Sequence, residues 1–383
     1  MKEQTIYEKF HCIADLCPMT CCQEWKIAVD EDTFEKWKTL EAPGESKHML
    51  TSTTILKEDT CVIGLDSDGK CPFLTEEKLC RLVLTYGDTV LSKTCGTFPR
   101  QIHEFPDRVE KTVVNCCPAV VDLLEQEEKF TPFISALERT SETELFTLRR
   151  IAMDLVQNEE FSVPKAMLMN FYMMLEVYHK SKEKEPQAVL SEYQNPKALN
   201  ELSEAIEKLD RSLAETICED NELFLDMAEN YRKEGLYREF LEPVAVLAEE
   251  LEEQYEAEED SFFEEIQEEW AAFMLEFGRF EGLVRKVLAS DLFSNLLLPD
   301  SDLESTVVMM QWNGIGYVVL RQALFLKWKL EKKQALTYET VRDYIVVVDR
   351  MTGYDEEDVY EYLENSFEEL IWDWGYFALI VGI

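Results

Sequence analysis

Ten of the eleven cysteines in this 383-residue chain lie between Cys12 and Cys117, and four of them, Cys12, Cys17, Cys21 and Cys22, fall within eleven residues. Thiols gathered this tightly constrain the fold more than any other feature. Thiolates are soft ligands that hold zinc or an iron-sulfur cluster, and holding one centre from many positions requires short loops that present sulfur from several directions. The remaining 266 residues contain a single cysteine, Cys218. The asymmetry divides the chain into a thiol-rich module and a long thiol-poor partner.

Disulfides are the rival use of so many cysteines. The opening run MKEQTIYEKF has no apolar core and no small-residue cleavage site. It does not read as a secretory signal, so a cytoplasmic protein with reduced thiols is expected. The cysteine count is odd. The vicinal pairs Cys21-Cys22 and Cys116-Cys117 are also poor disulfides, because neighbouring Cα atoms sit only about 3.8 Å apart. Metal or cluster ligation is the favoured reading over disulfides or plain buried cysteine.

Charge separates the two parts further. The chain carries a net charge of −40, of which −6 falls in residues 1–120 and −34 in the rest. Such a surface repels phosphate backbones and anionic lipid, so neither nucleic acid nor a membrane is an expected partner. The sharpest run, Glu249 to Glu269, has twelve acidic residues in twenty-one and no glycine-bearing calcium loop. It reads as a solvated helix face. The most apolar stretch, Val307 to Leu330, is interrupted by Gln311, Asn313, Arg321 and Lys327, and reads as a buried helix rather than a membrane span.

Residues 29–40 place Phe34, Trp37 and Leu40 at helical spacing, and residues 57–71 combine short apolar alternation with Asp-Gly turn chemistry, which predicts a small hairpin. From about Thr131 onward the pattern is helical. Helices are predicted over 142–156, 164–178, 197–216, 219–233, 237–255, 261–288, 305–331, 338–351 and 356–372. The fold class is therefore mainly α: a small irregular cysteine-rich metal or cluster module over residues 1–128, followed by an acidic all-helical bundle domain over 129–383.

Spacing restricts what the thiols can be. The chain lacks the two Cys-x2-Cys knuckles of a zinc ribbon and the repeated two-residue gaps of a ferredoxin. A radical S-adenosylmethionine motif would continue Cys17-x3-Cys21 with a cysteine at position 24, which is Glu24. What stands instead is Cys12-x4-Cys17-x3-Cys21-Cys22-Gln-Glu-Trp25, then Cys71-Pro-Phe-Leu74, Lys78-Leu-Cys80, Leu91-Ser-Lys-Thr-Cys95, Phe98-Pro-Arg100 and Cys117-Pro-Ala119. This ordered set resembles the flagellin lysine N-methylase family, itself similar to a broader group of zinc- or iron-chelating CxxCxxCC proteins. The resemblance continues through Leu148-Arg149 and Leu155 to Phe161. It returns faintly at Phe280 to Phe293 and Tyr344 to Arg350.

The resemblance implies methyl transfer from S-adenosylmethionine to lysine side chains of flagellin, or of another lysine-bearing protein, in an enzyme with a [4Fe-4S] cluster. Zinc is the alternative metal. Cys12, Cys17, Cys21, Cys22, Cys71, Cys80, Cys95 and Cys117 match the family pattern, whereas Cys61 and Cys116 are extras. Eight thiols exceed the four that one cubane needs, so either two centres exist or some thiols are structural.

Lysine methylation requires a neutral amine, and a lysine near pKa 10.4 must be desolvated or deprotonated to supply one. His11, His48 and His103 are the histidines of the module, and Glu24, Trp25 and Tyr86 could frame a lysine channel; none is singled out as the base. The donor site is equally unreadable, since Gly314-x-Gly316 is the nearest approach to a nucleotide-type turn and sits in a helical pattern. A second function class stays open: a non-enzymatic zinc- or iron-binding module whose acidic helices dock a basic protein partner. A thiol-disulfide redox protein is disfavoured, because neither vicinal pair offers a Cys-x2-Cys at a helix N-terminus.

Overall fold

The computed structural model describes residues 4–40, 50, 53–57, 60–136, 143–180, 186–209, 212–257, 260–353, 355–367 and 369–382. His48 lies outside the described residues. In the thiol-rich part, helix α1 (Ile6–Lys9) is followed by α2 (Glu31–Thr39), the amphipathic helix anticipated over 29–40. Asp30 caps α2 by accepting the Thr33 N–H, which fixes its start. Strands β1 (Thr54–Lys57) and β2 (Thr60–Ile63) pair antiparallel. The hairpin thus begins three residues earlier than predicted, and Asp66 to Gly69 forms a separate turn instead of its tip. Two short helices, α3 (Arg81–Tyr86) and α4 (Lys93–Thr97), present Cys80 and Cys95.

A three-stranded antiparallel sheet then follows in the order β3 (Arg100–Glu104), β4 (Arg108–Val113), β5 (Phe133–Ala136), with α5 (Pro118–Gln126) between β4 and β5. No alternating apolar pattern announces this sheet, and β4 shows why. Glu110 and Thr112 are the buried residues of one face, so the strand reads polar where it is inside. Glu110 is tolerated because Arg149 grips both its carboxylate oxygens at 2.6 and 2.7 Å.

The rest is helical: α6 (Glu144–Gln157), α7 (Val163–Lys180), α8 (Pro186–Glu192), α9 (Pro196–Glu207), α10 (Leu213–Glu234), α11 (Arg238–Glu256), α12 (Asp260–Phe277), α13 (Glu281–Asn295), α14 (Leu303–Leu330), α15 (Tyr338–Thr352), α16 (Glu356–Ser366) and α17 (Trp374–Val381). Two predicted helices are divided and a third is shortened. The 197–216 helix stops at Glu207, and Ser212 caps a new one by accepting the Glu215 N–H. The 261–288 helix breaks at the tight turn Gly278–Phe280. The 356–372 helix ends at Ser366, and Asp373 caps a separate C-terminal helix that the sequence reading left unassigned. Most of the acidic run on α11 and α12 is exposed, as expected of a solvated face; Glu269 instead turns inward to Lys329 and Lys333.

Helix α14 is the central element, packed by α7, α10, α11, α13, α15, α16 and α17. Its polar interruptions find partners inside the fold, although the Arg321 Nε is left without one. Gln311 bonds the Leu370 carbonyl and the Trp372 N–H, and Arg321 pairs with Asp220 at 2.5 Å. No described helix is long and apolar enough to cross a membrane.

Three hydrophobic clusters form among the described residues, the least of them Phe105, Phe146 and Leu297. A small one, around Trp37, Leu50, Ile63, Phe73 and Leu82, lies wholly in the thiol-rich part. The large one combines the helices with Ile6, Phe10 and Met19 and with Val113 and the α5 residues Val120, Val121 and Leu124. Buried cations of α13 tie it to α6 within the helices and to α5 across the joint. Arg285 donates to the Val156 and Asn158 carbonyls, and Lys286 donates to those of Glu125 and Glu127 at the end of α5.

Candidate functional site

The thiols gather in two neighbourhoods. Cys71, Cys80 and Cys95 each feel the charge of Cys22, and Cys71 also feels Cys80 and Cys95. Cys12 and Cys17 likewise act on Cys117. Cys21 joins the first group through a hydrogen bond to Cys22. That bond, with another from the Thr20 hydroxyl and the charge of Arg350, brings the Cys22 thiol down to about 7 despite burial. Burial pushes Cys71 up to about 12 and Cys95 and Cys117 to about 11, and raises Cys17 and Cys80.

Local backbone geometry supports several of these sulfurs. Cys71 accepts the Phe73 N–H, Cys80 those of Leu82 and Val83, and Cys117 those of Ala119 and Val120. In each case the turn after the cysteine aims N–H groups back at sulfur, the support that a metal-bound thiolate needs. In chemistry, number and outer-shell support the donor set fits a thiolate-held metal or cluster. As the side chains stand, no three His, Cys, Asp or Glu among the described residues converge closely enough to hold an ion. Cys61 lies apart on β2, and Cys218 on α10 bonds Tyr255.

Beside the thiols lies a cavity of about 440 Å³. One wall comes from the thiol-bearing segments, including Trp25, Thr94, Phe98 and Cys116, and the other from α13, α14 and α15. Trp25 meets Phe98 edge-on at 4.7 Å, and the buried Trp312 and Tyr317 face the cavity from α14. Arg350 ties the walls together. Its Nε donates to the Cys116 carbonyl and its Nη2 to that of Met19, both at 3.1 Å, while its guanidinium lies 5.6 Å from the Trp25 ring centre and 5.9 Å from that of Tyr237.

Two carboxylic acids, Asp291 of α13 and Asp349 of α15, also line the cavity and hydrogen-bond to one another. Each keeps partial solvent contact, yet each sits deep, which is what a group reached only through a cavity shows. Burial raises Asp349 to about 6, against hydrogen bonds from the Cys116 N–H and thiol that favour its ionised form. Burial and the neighbouring charge of Asp349 raise Asp291 well above the usual carboxylate range. The proton between them therefore rests on Asp291, and the pair carries one negative charge near neutral pH.

The other candidates fall elsewhere. His11 is exposed, and His103 on β3 bonds Gln101 at 3.4 Å, with burial and the charge of Arg149 holding its imidazole below its usual range. Neither lines the cavity. Glu24 accepts the N–H groups of Tyr237 and Arg238 and so anchors the start of α11, while Tyr86 packs against the small core. Gly314 is a packing glycine, since a Cβ there would stand 2.4 Å from Phe377; its neighbour Gly316 lines the cavity. Asp291, Asp349, Arg350 and Trp312 were not identified from sequence. A signal for Asp291 existed: it continues the helical apolar row Val284, Val287, Leu288, where an aspartate is out of character.

A thiol-rich segment folded against a partly enclosed cavity of charged and aromatic side chains, on a helical frame, marks a chain built around a reaction site rather than an α-helical scaffold. The profile of the FliB lysine N-methylase C-terminal domain matches residues 149–380, more than half of the chain, and the chain belongs to that family. The flagellar biosynthetic protein FliU of Salmonella muenchen is 33% identical over 129 residues, covering 31% of this chain and 76% of the relative. Lysine-N-methylases of Salmonella typhimurium (strain LT2) and Salmonella choleraesuis (strain SC-B67) are also 33% identical over 129 residues, 31% of this chain and 32% of each relative. The match thus spans about a third of the length of these two relatives. No solved structure matches the chain.

Proposed function

We propose that this protein is a cytoplasmic protein-lysine methyltransferase that moves a methyl group from S-adenosylmethionine to the ε-amine of lysines on flagellin or another lysine-bearing protein. The observation that carries the reading is the cavity between the thiol-bearing segments and the helices of the family-matched region, lined by the Asp291–Asp349 pair and by aromatic side chains. Both reactants of lysine methylation are cations, a sulfonium and an ammonium, and the faces of Trp25, Trp312 and Tyr317 are suited to either. Enclosure strips water from the amine and favours its neutral form.

We assign the [4Fe-4S] cluster, or zinc in its place, to Cys22, Cys71, Cys80 and Cys95, with Cys12, Cys17, Cys21 and Cys117 beside it as a second set or as support. Held by four thiolates, such a centre would have no open position, so it would order the loops that form this wall of the cavity and leave donor binding to the cavity itself. The chain's own contribution is to aim N–H groups at the sulfurs and to shape the cavity between its two walls.

The test is protein purified without oxygen, analysed for iron, zinc and sulfide, and incubated with flagellin and donor carrying a labelled methyl group. About four irons and four sulfides per chain, with label on lysine, is the expected result. Zinc without sulfide and no transfer would replace this reading with a metal-bearing module that docks a basic partner through its acidic helices.

A further inference from the structure

The cavity contains more than a methyl-transfer site needs by geometry alone. Its floor carries two acids in contact, and Arg350, next to Asp349 in sequence, sends its hydrogen bonds to the Cys116 and Met19 carbonyls. Among the described residues the pair has polar support but no ion-pair partner. Asn115, fully buried in the loop before α5, donates from Nδ2 to Asp291 at 2.6 Å and leaves its Oδ1 without a partner. Cys116 supports Asp349 from the same loop. The other charged groups lining the cavity are Lys93, Arg100 and Arg350; Arg100 is committed to the Phe10 carbonyl at 2.6 Å, and the charge of Arg350, itself bonded to two carbonyls, favours the ionised form of Asp349. One buried negative charge, open only to a cavity walled by Trp25, Phe98, Trp312 and Tyr317, is a receptor for a cation on an apolar stem.

We infer that Asp291 and Asp349 together are the amine-receiving group of this cavity, holding a lysine ε-ammonium and taking its proton before methyl transfer. This rests on the methyl-transfer reading above. The ammonium donates a hydrogen bond to Asp349, whose other contacts, Cys116 and Asp291, are themselves donors. A proton then passes from nitrogen to Asp349, leaving a neutral amine between the aromatic walls. The nitrogen lone pair attacks the methyl carbon of the sulfonium donor. As the N–C bond forms, the C–S bond breaks and its electron pair stays on sulfur, giving a neutral thioether and a methylated ammonium. The proton on Asp349 returns to solvent through the open cavity. Asp291 is the positioning partner, because its O–H keeps the charge on Asp349.

The pair can be dissected because one acid is neutral. Asp291→Asn reproduces the protonated Asp291, with an N–H for Asp349 and a carbonyl for Asn115, whereas Asp291→Asn combined with Asp349→Asn removes the charge. The probe is n-butylammonium chloride at pH 7.5, with 1-butanol as its neutral counterpart, followed by tryptophan fluorescence of the full chain as purified without oxygen. Asp291→Asn is expected to bind butylammonium within about threefold of the parent, and the double variant to bind it roughly tenfold to a hundredfold more weakly, with butanol unchanged in both. Undiminished butylammonium binding by the double variant overturns the inference. So does equal weakening for butanol, which would mean that the acids only shape the cavity.

Failure of the parent reading gives a different pattern. If methyl transfer to protein lysine is absent but the amine-specific loss occurs, the receptor stands and the reaction falls. If transfer occurs and the double variant retains it at the parent rate, the reaction stands and the receptor falls.

Discussion

Replacing Arg350 by methionine should loosen the protein where its two parts meet. Arg350 is 7% exposed, and its guanidinium links α15 to the Met19 and Cys116 carbonyls, one on each of two thiol-bearing segments. A hydrogen bond from a charged donor contributes about 1.5–3 kcal/mol net, and a desolvated cation over a ring about 1–2 kcal/mol more. The contacts share one side chain and do not add fully, and methionine fills part of the space, so the expected loss is about 3–5 kcal/mol. Lysine keeps the charge but cannot reach both carbonyls in the fork geometry, and should lose about half as much. The assay is urea unfolding followed by far-ultraviolet circular dichroism at pH 7.5 under reductant. A loss below about 1 kcal/mol for Arg350→Met, or a lysine variant as stable as the parent, would refute the view that Arg350 joins the thiol segments to the helices.

Three further outcomes are expected. Arg149→Met should cost about 3–5 kcal/mol by stranding the buried Glu110 carboxylate, and adding Glu110→Leu should recover most of it; a double variant as unstable as the single one in urea would contradict this. The acid pair predicts a pH dependence of stability. Asp349 is raised to about 6 and Asp291 is also raised well above the 3.8 of a free aspartate, so the folded state binds more protons than the unfolded one. Their contribution is fully present below about pH 4 and is lost as pH rises through 6, and Asp291→Asn should flatten that decline in thermal unfolding between pH 5 and 8. Cys22→Ser or Cys71→Ser should lower bound metal by more than about half, whereas Cys61→Ser and Cys218→Ser leave it unchanged by elemental analysis.

The helices were legible because an apolar face repeats along them, as in α6, α7 and α15, and their ends were misjudged where a cap such as Ser212 began a new helix inside a continuous apolar pattern. The sheet was illegible because the buried face of β4 holds Glu110 and Thr112, and only a partner from α6, forty residues on, makes that burial tolerable. The thiols could be listed from sequence with their family companions, since local turns alone aim N–H groups at Cys71, Cys80 and Cys117. How they divide into two neighbourhoods depends on which loops meet. The acid pair is the clearest case of what only tertiary structure decides. Asp291 and Asp349 are fifty-eight positions apart on separate helices, and neither alone shows that it has the other for a partner. Their protonation and charge arise only when α13 and α15 pack side by side beneath the Cys116 loop, because burial and the field of one carboxyl on the other do not exist until the chain has folded.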